Sequence, residues 1–426
     1  MGVSPFRGIR YNQGLVGDLA RVICPPYDVI SPEQQRLYYE KGDYNAIRLE
    51  FPEPAGDKYQ VAAVTFHQWL KQGILQIDGV SSLYLHDHHF EYLTEKLVRR
   101  GLIARVELQP WGSGIYPHEE TSSKAKSDRL QLMRACRANF SPLFSLCQDT
   151  EQKEVATILH HVSQEKPLVS VPAGWSTLSG SGEAHRLWAI IDQGIKRELS
   201  ELLSAQPIYM ADGHHRYETA LDYQQEMGQE QSAVQNGAFN YVMMELVEFS
   251  DPGLVVLPVH RLVRGVEAPV LMGLADRLRD FFDLESVPLK ANNSKASGLP
   301  ADACLGILGL QPGAVVVLKR RQDISLEAML PADRSQAYRE FAVSILNHVV
   351  LGGVLSGAKD IEVAYTVDVE EAHRQIREGK YQLAFLLRPA RVKMVKAIAD
   401  ARDRMPPKST YFYPKVPAGL VINPLG

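Results

Sequence analysis

The chain has 426 residues, of which 45% are hydrophobic and 23% charged, and its formal net charge is −4. This composition is that of a folded globular protein, and the length predicts two or three domains or subdomains. The apolar runs are far shorter than the roughly 20 residues of a membrane-spanning helix, and no basic block favours a sequence-independent grip on nucleic acid. The four cysteines are scattered and no apolar stretch follows the basic residues of the N-terminus, so we expect a cytoplasmic protein without a secretory signal.

Helical and strand patterns alternate along the chain. Apolar spacing, capping residues and glycine or proline breaks predict helices over 31–39, 59–72, 155–163, 195–204, 217–227, 271–282 and 333–350, and a charged helix ending near 138. Strands are predicted over 82–92, 99–108, 186–192, 207–211, 239–249, 253–263, 315–319 and 382–387. The expected inward residues of the helix over 59–72 are Val61, Val64, Phe66 and Leu70. The alternation predicts an α/β fold with mixed α+β sheets.

Changes in composition place domain boundaries near 150 and 265. We expect an N-terminal α/β domain over 1–150, a phosphate-binding domain over 151–265 and a C-terminal α/β domain over 266–426. The tail over 405–420 is rich in proline and aromatic residues, so it is predicted to be an ordered loop packed on its domain.

The motif with the strongest chemical signal is DGHHR, Asp212–Arg216. A predicted strand enters a glycine turn at Gly213, and a helix follows directly. The first amides of a helix lack intrahelical acceptors and the helix dipole is positive there, so cationic side chains at that end favour a phosphate or another small anion. Asp212 is a candidate base or Mg²⁺ ligand. The alternative is that Asp212 caps the helix and that His214 and His215 are solvated.

This stretch resembles the nucleotide-phosphate motif of the ParB/sulfiredoxin-like superfamily, which includes free serine kinases. The resemblance implies a ParB/sulfiredoxin-like element within a larger chain. It implies that His214, His215 and Arg216 hold nucleotide phosphates and that Asp212 is the catalytic acid. We also expect Gly213 in the phosphate site and His214 among the catalytic residues. Sulfiredoxin has cysteine at the position of His214, so cysteine-based sulfinic acid repair is excluded.

A longer resemblance covers nearly the whole chain. Short motifs occur in order over 5–11, 25–31, 45–49, 118–121, 126–130, 139–142, 212–216, 258–262 and 405–415. With these motifs the chain resembles the domain-of-unknown-function 1015 family of bacterial and archaeal proteins. The motifs identify a family but do not specify a substrate.

Polar residues of the motif over 118–130 are candidates for the same pocket. His118, Glu119 and Thr121 are predicted at a helix start, with Glu119 as a general base or Mg²⁺ ligand. Lys126 and Arg129 are three residues apart and share a helix face, so they are expected to grip a second anionic group. The alternative is a capping arrangement with a solvated charged face.

The remaining candidates are predicted to bind substrate. His260-Arg261 ends a predicted strand and is expected to line a cleft. Asp28 and Arg48 either orient a substrate or serve as turn and surface residues. The segment Lys408–Thr410, which includes Ser409, either closes over phosphate or docks the tail. His86 and His88 share a strand face, but their pattern favours an ordinary strand over a metal site.

The leading hypothesis is a nucleotide-dependent phosphotransferase that uses ATP or ADP with Mg²⁺ to phosphorylate a small hydroxylated metabolite such as free serine. One alternative is a regulatory module that binds nucleotide without catalysis. Another is a metal-dependent hydrolase that uses the His118-Glu119 and His214-His215 pairs. The expected partners are a nucleotide and a small-molecule substrate, and neither a membrane nor nucleic acid is expected.

Overall fold

The computed structural model describes residues 1–53, 56–120, 123–175, 182–230, 237–288, 298–358 and 360–426. Contacts divide the chain into two compact units. Unit 1 contains Met1–Pro117, Thr121–Val255 and Pro414–Gly426, and unit 2 contains His118–Glu120 and Val256–Tyr413. The three-part division at 150 and 265 stays a prediction.

Unit 1 is built on a mixed sheet that has nine strands within the described residues. Two of its strand pairs are parallel and the others are antiparallel. The predicted α/β class with mixed sheets is confirmed. In spatial order the strands are Ile115–Tyr116, Ile208–Asp212, Leu143–Cys147, Tyr241–Glu248, Glu95–Glu107, Leu83–Tyr92, Ala184–Ile190 and Val169–Val171, and Val3–Ser4 also pairs with Glu95–Glu107. Two smaller ladders join Ile9–Tyr11 to Leu75–Ile77 and Ala138–Asn139 to Asn423–Pro424.

Both faces of the main sheet are covered. Neighbouring strand residues point to opposite faces, and Leu85 packs in one hydrophobic cluster while Tyr84 packs in another. In the strand Leu83–Tyr92, every residue from 83 to 88 is therefore buried, including His86 and His88. A polar residue in such a strand has to find its partners inside the protein.

The helices of unit 1 follow the sequence signals closely. The helix that begins at Pro32 has a capping box, in which Ser31 and Gln34 each accept from the other's backbone amide. The α-helices of unit 1 are Gln13–Val16, Pro32–Lys41, Ile47–Glu50, Lys58–Lys71, Ser123–Cys136, Glu154–Val162, Gln193–Ser204 and His214–Glu230, and short 3-10 helices cover Leu19–Arg21, Tyr27–Val29 and Ala238–Asn240.

The predicted inward face of the helix Lys58–Lys71 is partly wrong. Val61 and Val64 are 54% and 44% exposed, whereas Phe66 and Trp69 are buried. The buried face runs through residues 62, 66 and 69, which have the i, i+4, i+7 spacing of one helix side. Ala62 is small enough to occupy that side, so apolarity alone selected the wrong residues.

Unit 2 contains a six-stranded antiparallel sheet within the described ranges. In spatial order its strands are Phe282–Pro288, Ala314–Arg320, Leu305–Leu308, Leu383–Leu386, His260–Arg264 and Glu362–Thr366. Its helices are Ala268–Met272, Leu274–Arg279, Gln336–Glu340, Ala342–Ile345, Val369–Arg377 and Val392–Asp400, with a 3-10 helix over Glu327–Met329 and a π-helix over Leu346–Val354.

Two long helices predicted in this region are wrong in extent. The segment over 271–282 is interrupted at Gly273 and changes into a strand at Phe282. The segment over 333–350 is interrupted at Phe341, whose backbone is extended. In both cases the apolar pattern continues through a backbone break.

The tail over 405–420 contains buried residues and a short strand. Met405 and Phe412 are buried, and Tyr411–Tyr413 forms a short ladder with Val255–Leu257. All four cysteines are unpaired. Within the ranges described above, no helix has the length and apolarity needed to cross a bilayer.

Candidate functional site

The DGHHR motif forms the predicted strand, turn and helix. The motif strand, Ile208–Asp212, ends at Gly213, and the motif helix, His214–Glu230, begins at the next residue, three positions earlier than predicted. Gly213 has φ +95°, and a Cβ there would lie 2.7 Å from Leu143 Cδ2. Only glycine fits this turn without strain.

Asp212 lies between two cationic side chains. Arg216 Nη2 donates to Asp212 Oδ2 at 3.1 Å, and Lys415 Nζ donates to Asp212 Oδ1. The three side chains are only 11–15% exposed. The carboxylate at the motif turn is thus held in a largely buried ion-pair network.

Arg216 continues this network towards the N-terminal part of unit 1. Its Nη1 donates to Ser141 Oγ at 2.8 Å and to the Pro142 carbonyl at 3.2 Å. The Ser141 hydroxyl donates in turn to Glu50 Oε1 at 3.1 Å. Burial alone would lower the pKa of Arg216, but Asp212 and other nearby carboxylates raise it, so the guanidinium stays charged.

Arg129 joins the same group of residues. It donates to the Glu50 carbonyl at 2.6 Å, and its guanidinium lies 4.0 Å from the centre of the Tyr27 ring. Burial raises the pKa of Tyr27 to about 12, and Asp28 adds to this rise, so the hydroxyl keeps its proton at neutral pH. We name these residues the motif cluster: Tyr27, Asp28, Glu50, Arg129, Ser141, Asp212, Arg216 and Lys415.

The motif cluster contains as many carboxylates as cationic side chains. Glu50, Arg129, Ser141 and Arg216 line a cavity of about 40 Å³. One water needs roughly 10–15 Å³, so this cavity accepts a small group rather than a whole nucleotide. A larger ligand has to place only one end here, or to displace an ion pair.

Other predicted residues of unit 1 have separate partners. Lys126 pairs with Glu218 at 3.0 Å, whereas Arg129 pairs with its neighbour Asp128. The gripping of one anion by Lys126 and Arg129 together stays a prediction. Arg48 stacks over the Tyr39 ring at 4.5 Å and donates to the Tyr39 carbonyl. His214 is buried with its ring centre 6.2 Å from that of Trp111, and His215 is half-buried.

The motif over 118–120 lies in unit 2 and holds the tail. We name Pro406–Thr410 the tail turn. The buried His118 is bonded through Nε2 to Thr410 Oγ1 at 2.9 Å. Glu119 Oε1 accepts from the backbone amides of Lys408 and Ser409. Thr121, which was predicted beside them, lies outside the described residues.

Arg261 supports the tail turn from the unit 2 sheet. Its Nη2 donates to the Lys408 carbonyl at 3.0 Å and more weakly to the Pro407 carbonyl at 3.4 Å. Ser409 Oγ donates to the Pro406 carbonyl at 2.5 Å. The expectation that His260-Arg261 ends a strand and lines a cleft is wrong, because both residues begin the strand His260–Arg264 and are buried.

Replacement of Glu119 should separate a structural role from a catalytic one. Glu119→Ala leaves two amides of the tail turn without their acceptor, so we expect the free energy of unfolding to fall by about 2 kcal/mol. Glu119→Gln keeps an acceptor oxygen and should cost less than half as much. Chemical denaturation measures both, with Glu120→Ala at the exposed neighbouring position as control. Normal stability of Glu119→Ala would contradict the assigned contact.

His260 makes unit 2 sensitive to acid. The Leu387 amide donates to His260 Nδ1 at 3.1 Å, so the ring hydrogen is on Nε2. Burial, assisted by Arg261, lowers the pKa of His260 to about 4, against roughly 6.5 in an unfolded chain. Between these values the unfolded chain binds a proton that the folded chain does not, so stability falls as the pH falls.

We therefore expect His260 to cost about 3 kcal/mol of stability between pH 7 and pH 4. His260→Asn keeps an acceptor for the Leu387 amide and removes the titrating ring. Urea unfolding at a series of pH values should show a shallower acid loss for the variant than for the wild type. Parallel curves would show that His260 does not titrate in this way.

The structure gathers only part of the predicted pocket into one group. Asp28, Arg129, Asp212 and Arg216 belong to the motif cluster in unit 1, whereas the residues that hold the tail turn belong to unit 2. The joining of Asp212 and Glu119 in one pocket stays a prediction. Glu50, Ser141 and Lys415 were not among the predicted site residues. Ser141 and Lys415 do lie in the motifs over 139–142 and 405–415, on which the family resemblance is based.

The family model described as "Protein of unknown function (DUF1015)" matches residues 3–336. The chain belongs to this family. A search of curated proteins finds no significant relative for this DUF1015 chain.

Three solved structures are similar to the DUF1015 chain at low identity. A conserved hypothetical protein from Pyrococcus furiosus is 13% identical, with coverage of 74% of this chain and 93% of that one and a TM-score of 0.34. A free serine kinase in complex with AMP is 12% identical, with coverage of 73% and 86% and a TM-score of 0.34. SbnI from Staphylococcus aureus, truncated at its C-terminus, is 10% identical, with coverage of 74% and 84% and a TM-score of 0.32.

Proposed function

We propose that the chain is a nucleotide-dependent phosphotransferase, with ATP or ADP as donor and a small hydroxylated metabolite, such as free serine, as acceptor. The observation that carries the proposal is the motif cluster. Segments from 27 to 415 bring three cations and three carboxylates together at the start of a 17-residue helix. The resemblance of DGHHR to the phosphate motif of free serine kinases supplies the reaction class.

The start of the motif helix is the proposed phosphate site. The positive end of the helix dipole and the charged Arg216 both favour a phosphate group there. His214 and His215 lie in the first turn and are proposed to contact the phosphates. Gly213 lets the backbone approach them closely.

Asp212 is proposed to accept the proton of the acceptor hydroxyl. In the structure its two oxygens are engaged by Arg216 and Lys415. When a phosphate binds, these two cations transfer from Asp212 to the phosphate oxygens and stabilise the charge on the transferring group. This exchange leaves the Asp212 carboxylate available to the hydroxyl.

The charge of the motif cluster is the reason for proposing Mg²⁺ as a cofactor. Each cation already has a carboxylate partner, Asp128 for Arg129 and Asp212 for both Arg216 and Lys415, so little positive charge remains for a polyphosphate. A divalent ion that arrives with the nucleotide supplies this charge, as in other phosphoryl transfer enzymes. Asp212 is the proposed protein ligand, through an oxygen that Lys415 or Arg216 releases.

A direct transfer assay tests the proposal. The full chain is incubated with Mg²⁺, labelled ATP or ADP, and free serine or a panel of small hydroxylated metabolites, and phosphorylated product is counted. Asp212→Asn should lower the rate at least about 100-fold, because a general base typically contributes that much. Asp222→Asn, an exposed position on the same helix, is the matched control. Nucleotide binding with no product from any acceptor would refute transfer and favour a regulatory module.

A further inference from the structure

A second polar cluster lies inside the main sheet of unit 1, on residues that the proposed function does not use. His88 and His185 are direct cross-strand partners in the ladder of Leu83–Tyr92 with Ala184–Ile190. Glu183 precedes His185 by two residues, and its Oε2 is 3.1 Å from His88 Nε2. One donor atom from each of the three lies within 4.8 Å of the others, and all three residues are at most 4% exposed.

The hydrogen bonds of His86 determine which nitrogen of His185 carries its hydrogen. The Glu245 carboxylate is 3.2 Å from His86 Nδ1 and accepts its hydrogen. In the neutral ring, His86 Nε2 is then an acceptor, and His185 Nδ1 donates to it at 3.0 Å. This leaves a lone pair on His185 Nε2. That buried atom has no hydrogen-bond partner within the part of the chain that the structure describes.

Arg99 determines the state of His88 in the same way. The fully buried guanidinium donates to His88 Nδ1 at 3.2 Å and to the Pro414 carbonyl at 2.8 Å. The hydrogen of His88 is therefore on Nε2 and points to Glu183. Burial lowers the pKa of both His88 and His185 well below its usual value, so both rings are neutral.

We propose that His88, Glu183 and His185 bind one Zn²⁺ ion. Two imidazole nitrogens and a carboxylate oxygen form a known zinc ligand set, with water in the fourth position. His86 and Glu245 orient His185, as outer-shell groups do for metal-bound histidines.

The charges of the cluster favour a cation. Glu183 supplies a carboxylate beside His88 Nε2, and Glu245 supplies another against His86 Nδ1. On binding, Zn²⁺ takes the place of the hydrogen on His88 Nε2, and this hydrogen moves to Nδ1, so that the ring stays neutral. Arg99 releases Nδ1 and keeps its bond to the Pro414 carbonyl.

Zinc titration of the full chain tests the proposal. After removal of metals with a chelator, the wild type should bind one Zn²⁺ per chain in calorimetry, and zinc should raise its unfolding temperature. His88→Gln and His185→Gln should lose this binding, and His86→Gln should weaken it about 10- to 100-fold. His161→Gln, on an exposed position of another helix, should bind like the wild type.

X-ray absorption of the zinc-loaded wild type gives a result even if the variants fail to fold. We expect two imidazole nitrogens and one carboxylate oxygen about 2.0–2.2 Å from the ion. Four results would each overturn the proposal. These are binding of less than one zinc per chain, a zinc coordination shell without imidazole, zinc affinity in His185→Gln equal to that of the wild type, and a preference for Mg²⁺ over Zn²⁺. None of these measurements depends on phosphoryl transfer.

Discussion

Arg216→Met should weaken nucleotide binding at least about tenfold, because a charged donor to phosphate is worth 1.5–3 kcal/mol or so. The same change removes the cation that joins Asp212, Ser141 and the Pro142 carbonyl. Removal of one partner of a buried ion pair lowers the free energy of unfolding by about 3 kcal/mol. We therefore expect unit 1 to be less stable as well, with Lys415 still bonded to Asp212.

Calorimetric titration with ADP and Mg²⁺ measures the affinity, and urea unfolding measures the stability. Both are run at a temperature at which circular dichroism shows the variant to be folded. Arg134→Met is the matched control, because Arg134 is an exposed arginine paired with Glu226 on the surface. Unchanged ADP affinity in folded Arg216→Met would remove Arg216 from the phosphate site.

Gly213→Ala should destabilise the protein by about 2 kcal/mol and abolish nucleotide binding. Alanine at φ +95° is strained, by roughly 1–3 kcal/mol. Its Cβ would also lie 2.7 Å from Leu143 Cδ2 and 3.0 Å from Arg216 Nη2. The turn has to shift, and the start of the motif helix moves with it.

Gly228→Ala is the matched control for this change. Gly228 lies in the same helix, and an added Cβ there meets nothing within 4 Å. Alanine at an interior helical position is more favourable than glycine by roughly 0.5–1 kcal/mol. Denaturation should therefore show opposite effects for the two substitutions. A Gly213→Ala protein as stable as the wild type would contradict the geometry of the turn.

The strand, turn and helix of the DGHHR motif were predicted well because the sequence signals for them are local. Asp212-Gly213 marks a turn, and the residues on each side have strand and helix patterns, so each signal acts within a few residues. The helix start at Ser31 was predictable for the same reason. The long helix over 271–282 was not, because its apolar spacing continues across Gly273, and only packing decides whether the backbone breaks there.

The composition of the motif cluster depends on contacts between distant segments. The Glu50 carboxylate accepts a hydrogen bond from the Ser141 hydroxyl, and the Glu50 backbone carbonyl accepts one from Arg129. No spacing along the chain indicates these contacts. Lys415 reaches Asp212 from about 200 residues away. The zinc site is similar, because His88 and His185 become neighbours only through strand pairing. The His86–His89 run alone therefore favoured an ordinary strand.

A crystal structure of the full chain with ADP and Mg²⁺ would show whether the DGHHR turn binds phosphate. We expect the terminal phosphate at the start of the motif helix, within hydrogen-bonding distance of the His214 or His215 amide and of Arg216. We also expect Lys415 to have moved from Asp212 to a phosphate oxygen. ADP bound elsewhere, with the Asp212–Lys415–Arg216 network unchanged, would contradict this expectation.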